Sequence, residues 1–248
     1  MVSEHELDQF HDVELDGWRR LAAGYAQQLA QLMSQATEPL LDAAAFAAES
    51  HVLDLCCGPG HVSDAIARRG STPLGIDFAP EMIVLARQKW PGLAFEVGDA
   101  ENLAEPDQSC DAAVMNFGLL HLARPEAALR HIARVLKPGG RLLSLDFNRP
   151  ENAIVRAAYL GYLGLVGSTL GWILHRDPDT YRYIPASIRR YPGARGVADR
   201  LTARGFDFVT VIPLLFGLMS LHLGTLSSGG PSGHGFDDRD NGPVANSR

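Results

Sequence analysis

The feature that most constrains this chain is a transition at residues 51–70. The apolar run Val52-Leu53-Asp54-Leu55 gives way to the turn Cys56-Cys57-Gly58-Pro59-Gly60. Helical residues then follow over 62–69 until Gly70 stops them. A strand, a glycine-bearing turn and a helix in that order open a βαβ unit, which lays its next strand parallel to the first. The alternation continues with a strand at 73–76 before Asp77, a helix at 80–89 and a strand at 93–97 before Gly98-Asp99. A strand at 112–116, a helix at 125–136 and a strand at 141–146 complete it. Right-handed crossovers then fix most of the topology of an α/β sheet with helices on both faces. With 248 residues, 46% of them hydrophobic, the chain is long enough to cover such a sheet within one domain.

The flanks read differently. Trp18, Leu21, Ala22, Tyr25, Leu29, Leu32 and Met33 recur at three- and four-residue steps, the stripe of an amphipathic helix, and Thr37 is placed to cap a second helix reaching about residue 48. Beyond the core lie an uncharged apolar segment (157–174), a polar Arg- and Tyr-rich stretch (176–192) and a helix near 194–203. Two β-like runs, 206–212 and 217–223, then form an antiparallel hairpin that closes the sheet. Residues 227–248 are mostly Gly, Ser, Pro, Asp and Asn and are expected to be a disordered tail.

The net charge of −7 is concentrated at the start. Glu4, Glu6, Asp8, Asp12, Glu14 and Asp16 face no Lys or Arg among the first sixteen residues, so 1–16 is expected to be a flexible acidic leader. Nothing basic enough to bind nucleic acid remains. Cys56, Cys57 and Cys110 match no metal-ligand spacing. No secretory signal pattern is present in the first sixteen residues, which sets a cytoplasmic expectation.

Asp54, Asp77 and Asp99 stand at the carboxyl ends of successive strands, where an open α/β sheet receives its ligand. Asp77 is nineteen residues beyond Gly58, where a carboxylate accepts hydrogen bonds from both ribose hydroxyls. Three carboxylates with no Lys or Arg in the loop would repel a pyrophosphate, which makes an NAD-dependent oxidoreductase the remote reading. They suit a cationic nucleoside such as S-adenosylmethionine, which carries a sulfonium and an ammonium.

Residues 51–146 resemble the core of the class I S-adenosylmethionine-dependent methyltransferases. The resemblance rests on Asp54 to Gly60, Asp77, Gly98-Asp99-Ala100 and Leu136-Lys137-Pro138-Gly139-Gly140 in that order. It implies a Rossmann-like seven-stranded sheet in which Asp54, Cys56, Gly58 and Gly60 form the donor turn and Asp77 holds the ribose. Phe78 and Met82 would lie on the adenine, although core packing accounts for those two as well. Asp99 and Ala100 would read the adenine edge, and Asn116 with Phe117 would receive the methionine end. Cys56 departs from the glycine usual at its position. The single domain then spans 17–226: N-terminal helices (17–48), cofactor-binding core (51–146), substrate lid region (151–192), and closing helix and hairpin (194–226).

Phe117-Gly118-Leu119, Leu136 to Arg141, Tyr181-Arg182-Tyr183-Ile184 and Gly217-Leu218-Met219 are similar to the menaquinone and ubiquinone biosynthesis C-methyltransferases. That similarity implies a lipophilic quinol acceptor methylated on ring carbon, with another small molecule of secondary metabolism as the alternative. Leu120-His121 replaces that family's Arg-Asn pair. A ring carbon becomes nucleophilic when its hydroxyl loses a proton, so a base is needed, and His121 beyond the fourth strand is the candidate. A capping histidine is the structural alternative. Tyr181 and Arg182 are candidates for binding the acceptor's oxygens, and an aromatic-anchored loop is theirs. The 157–174 segment, with Gly161, Gly164, Gly167 and Gly171 along one side, suits a lid helix or a peripheral membrane contact better than a span.

Overall fold

The computed structural model describes residues 3–28, 37–44, 46–175 and 183–228. The chain runs α1 (Glu4–Gln28), α2 (Thr37–Ala44), β1 (His51–Leu55), α3 (His61–Arg68), β2 (Thr72–Asp77), α4 (Pro80–Lys89), β3 (Ala94–Val97) and β4 (Cys110–Asn116). It continues with α5 (Pro125–Val135), β5 (Leu136–Phe147), α6 (Ala153–His175), α7 (Tyr183–Arg190), α8 (Gly193–Ala203), β6 (Phe206–Leu214) and β7 (Met219–Leu226).

The seven strands form one sheet in the order β3-β2-β1-β4-β5-β7-β6. The first five pair in parallel, and β7 runs antiparallel between β5 and β6. The expected hairpin is therefore present, with its second strand inserted next to β5. In β1 the residues from Val52 to Leu55 are all buried, as a strand covered on both faces requires. Val52, Val114, Leu143 and Leu145 pack with α2 and α3 through Leu40, Leu41, Val62 and Ile66. Leu53, Leu55 and Met115 pack on the opposite face with Leu129 and Ile132 of α5 and Val197 and Leu201 of α8. Because β1 lies between β2 and β4, the chain reverses its direction of travel across the sheet there, and a crevice opens at the carboxyl ends of β1 and β4.

The acidic leader is a correction. Residues 4–16 are the first half of α1, not a flexible segment. Their charges have partners distant in sequence: Arg124 bonds both Glu4 and Asp8, and His11 Nε2 lies 2.9 Å from Asp99 Oδ2. The strand expected at 141–146 begins earlier, at Leu136, with a register irregularity where Cys110 pairs Leu136 and Ala112 pairs Arg141. The apolar segment is helical from Ala153, and a Cβ at Gly161 or Gly164 would meet open space, so none of the described residues packs closely on them. Among the described residues no helix is long and apolar enough to cross a membrane. At the start of the composition-defined tail, Ser227 bonds the Gly205 carbonyl at 2.9 Å; residues from 229 onward lie outside the described part.

Candidate active site

The turn after β1 is shaped by positive φ angles at Cys56 (55°), Gly58 (52°) and Gly60 (80°). Cys56 thus occupies a conformation in which glycine is free of strain, which explains why glycine suits that position. Trp90 Nε1–H donates to the Pro59 carbonyl at 3.0 Å and pins the turn against α4. Asp77, at the end of β2, accepts from the Gly58 amide through Oδ2 and the Ala79 amide through Oδ1, each at 2.9 Å. One carboxylate therefore ties the end of β2 to the β1 turn and to the start of α4.

Asp77 and Asp99 lie with Cys56, Gly58, Phe78, Met82, Ala100, Asn116, Phe117 and His121 around one cleft of about 670 Å³, its open mouth included. Asn116 Oδ1 is buried there without a hydrogen-bond partner among the described residues. A buried amide oxygen left this way is costly, and an ammonium group in the cleft would satisfy it. Asp99 holds the Glu101 amide through Oδ1 at 2.8 Å while its Oδ2 faces His11. Phe117 (φ 59°) stacks at 5.3 Å on Phe147, at the end of β5.

Two of the expected donor residues do not line the cleft. Asp54 points to the α3 side, where its Oδ2 accepts the Ser63 hydroxyl at 2.6 Å. Gly60 is a packing position: a Cβ there would fall 2.7 Å from Phe95 and 2.9 Å from Trp90. Tyr181 and Arg182 lie outside the described residues.

The roof of the cleft comes from the leader. His11 and Trp18 of α1 line it, and the buried Glu14 between them places Oε2 3.1 Å from His121 Nδ1 and 3.2 Å from Trp18 Nε1. The Trp18 ring stands edge-on to the His121 imidazole at 5.2 Å. The acidic composition of residues 1–16 concealed His11 and Glu14, although with Trp18, which already reads as part of a helical stripe, they share one face at the spacing 11, 14, 18. Asp146 was also missed. It is buried at the end of β5, with Oδ2 accepting the Leu120 amide at 3.0 Å and Oδ1 the Phe147 amide at 3.1 Å. Among the described residues no cluster of His, Cys, Asp or Glu is arranged to hold a metal ion.

Burial raises three of these carboxyls. Asp77 is pushed from 3.8 to about 6, against the pull of the Ala79 and Gly58 amides. Asp54 is pushed to about 7 against the Ser63 bond, and Asp146 to about 7 against His121 and its backbone amides. Each therefore binds its proton at higher pH in the folded chain than in the unfolded one. The stability they contribute is complete below about 4 and is lost as pH rises through 6 to 7. Donor binding works in the opposite direction, since a protonated Asp77 loses an acceptor for the ribose hydroxyls. Urea midpoints should fall between pH 5.5 and 8 from these groups, while calorimetry should find donor affinity weakening as pH drops below about 6. Donor affinity independent of pH over that range would contradict the placement of the ribose at Asp77.

The family model of the ubiE/COQ5 methyltransferases matches residues 34–226. The ubiquinone/menaquinone biosynthesis C-methyltransferase UbiE of Rubrivivax gelatinosus is 36% identical over 179 residues, 72% of this chain and 71% of the relative. The demethylmenaquinone methyltransferase of Paenarthrobacter aurescens is 34% identical over 171 residues, 69% and 68% of the two chains. Among solved structures, a SAM-dependent methyltransferase of Thermotoga maritima, described as a possible histamine N-methyltransferase, shares the fold. Its TM-score is 0.61 at 20% identity, over 86% of this chain and 99% of that one. The donor-shaped turn, the carboxylates at the strand ends and these matches agree: the chain belongs to the ubiE/COQ5 methyltransferase family, whose methyl donor is S-adenosylmethionine.

Proposed function

We propose that the protein methylates a ring carbon of a small lipophilic hydroquinone, with His121 as the base. The observation that carries this reading is the presence in one cleft of an acidic half, Asp77 and Asp99 with the buried Asn116 oxygen, and of His121 together with the Phe117 and Trp18 rings. The relatives named for menaquinone and ubiquinone methylation support the acceptor class.

The donor half fits S-adenosylmethionine. Asp77 would take the ribose hydroxyls, Asp99 with the Ala100 amide the adenine edge, and the Asn116 oxygen the ammonium. Phe78 and Met82 would flank the base. When bound, S-adenosylmethionine supplies a methyl group on a sulfonium, open to in-line attack by a carbon nucleophile. The chain's own work is alignment, exclusion of water beneath α1, and removal of the acceptor's hydroxyl proton by His121.

A lipophilic acceptor is best collected from a bilayer surface, and α6 suits that contact. Ile154, Tyr162, Leu165 and Trp172 are 61–81% exposed and fall on one stripe at helical spacing. Residues 149–195 hold seven arginines against three acidic residues, opposite in sign to the whole chain. Aromatic and aliphatic side chains flanked by arginines match an interfacial helix on anionic lipid.

Incubation with labelled donor and demethylated naphthoquinols carried in anionic vesicles should give C-methylated product. The double variant Leu165→Ser/Trp172→Ser should lose vesicle binding yet still turn over a water-soluble, short-chain quinol. Methylation confined to the oxygen or nitrogen of phenols and amines would overturn the acceptor assignment and favour a secondary-metabolite substrate. Equal vesicle binding by the variant would overturn the α6 contact.

A further inference from the structure

We propose that Glu14 is the positioning residue for His121: its carboxylate accepts the Nδ1 proton and so presents Nε2 as the basic atom. The inference rests on the reading of His121 as the base.

Glu14 differs from the other acids of α1, because it is 6% exposed whereas the side chains of Glu4, Asp8, Asp12 and Asp16 are each more than 60% exposed. A carboxylate withdrawn from water needs donors; Oε2 has the Trp18 Nε1–H at 3.2 Å and lies 3.1 Å from His121 Nδ1, where a proton on that nitrogen supplies the second. The imidazole is held on one side by a carboxylate and on another by an indole at an interplanar angle of 89°. A ring flip would remove the Nδ1–H from Glu14 and set a C–H toward a buried charge, so one orientation is selected.

Other charged groups face the same imidazole. Asp146 and Asp77 both interact with it electrostatically, but their oxygens carry backbone amides of Leu120 and Phe147, and of Gly58 and Ala79. Glu14 meets His121 through a side-chain contact at hydrogen-bond distance, 3.1 Å from Nδ1. It also comes from α1, which precedes the start of the family match at residue 34. The roof helix therefore contributes to the acceptor half as well as covering the cleft.

The step balances simply. The acceptor's O–H bond breaks, its proton forms an N–H bond at His121 Nε2, and the electron pair stays on the oxygen and delocalises into the ring. The imidazolium is formed opposite the Glu14 carboxyl group and later returns the proton to water. This is the general logic of a carboxylate that orients a histidine base.

The test compares Glu14→Gln, Glu14→Asp and His121→Ala in the full chain. Glutamine keeps the size and an acceptor oxygen but removes the charge, so kcat should fall about 10- to 100-fold. Acceptor KM and S-adenosylhomocysteine affinity should stay within about twofold, and aspartate should recover part of the loss. Nitrogen-15 spectra of histidine-labelled protein, assigned by subtraction of His121→Ala, should show Nδ1–H in the wild type and a shift toward Nε2–H in Glu14→Gln. An unchanged kcat in Glu14→Gln, or an Nε2–H tautomer in the wild type, overturns the proposal. The wild-type spectrum decides alone if the variants do not fold. Full turnover by His121→Ala would instead remove the base assignment, whereas an inactive His121→Ala beside an unimpaired Glu14→Gln would count against Glu14 only.

Discussion

Replacing His121 with alanine should lower turnover of a quinol acceptor by about 10²–10⁴-fold, the usual contribution of a positioned general base. Donor affinity should change little, because the ribose, adenine and ammonium are assigned to Asp77, Asp99 and Asn116 and not to His121, which lines the same cleft beyond β4. Small amines added to the assay should restore part of the lost rate by acting as external bases. The fold should tolerate the change better than it tolerates removal of Glu14, since truncating the imidazole leaves the Glu14 carboxylate one remaining partner in Trp18. Rapid-quench measurement of a single turnover separates the chemical step from product release. A variant with wild-type single-turnover rate would mean that the hydroxyl proton leaves by another route.

The second large effect is expected at Asp77. Hydrogen bonds to a charged group are worth about 1.5–3 kcal/mol each, so Asp77→Asn should weaken S-adenosylhomocysteine binding about 10- to 100-fold while leaving much of the fold intact. Asp77→Ala goes further. It strips the Gly58 and Ala79 amides of their acceptor, and unsatisfied buried amides cost about 1–3 kcal/mol each. Lower urea midpoints are therefore expected in addition to lost binding. Titration calorimetry reads the first effect and equilibrium unfolding the second. Donor affinity unaltered in Asp77→Asn would show that the ribose lies elsewhere.

How much of this was legible beforehand follows from what each signal depends on. The parallel core was readable because its cues are local: apolar runs of four to six residues, glycine at the turns, and proline at the first helical position of α4 and α5. That Asp77, Asp99, Asn116 and His121 would gather at one cleft was readable because Asp77 and Asn116 end strands and Asp99 and His121 follow strands within a few residues. The role of α1 was not, since its acidic residues find their cations and acceptors across long sequence separations, 107 residues for Glu14 with His121 and 88 for His11 with Asp99. Charge density alone made the segment look solvated, although its 11, 14, 18 spacing already placed two rings and a carboxylate on one face. Asp54 and Gly60 show a limit of the opposite kind. Both sit in the motif, yet Asp54 bonds Ser63 and Gly60 makes room for Phe95 and Trp90, so a motif position also carries packing duties that the pattern does not reveal. Asp146 gave no signal of its own, because its value depends on the Leu120 amide and His121 brought to it by the fold.

The most direct measurement is titration calorimetry of the purified chain with S-adenosylmethionine and S-adenosylhomocysteine at pH 7.5, with NADH as the comparison. The account predicts saturable one-to-one binding of both sulfur nucleosides, a raised unfolding midpoint in their presence, and no binding of the pyrophosphate-bearing nucleotide. Saturable uptake of NADH with no heat from either sulfur nucleoside would contradict it.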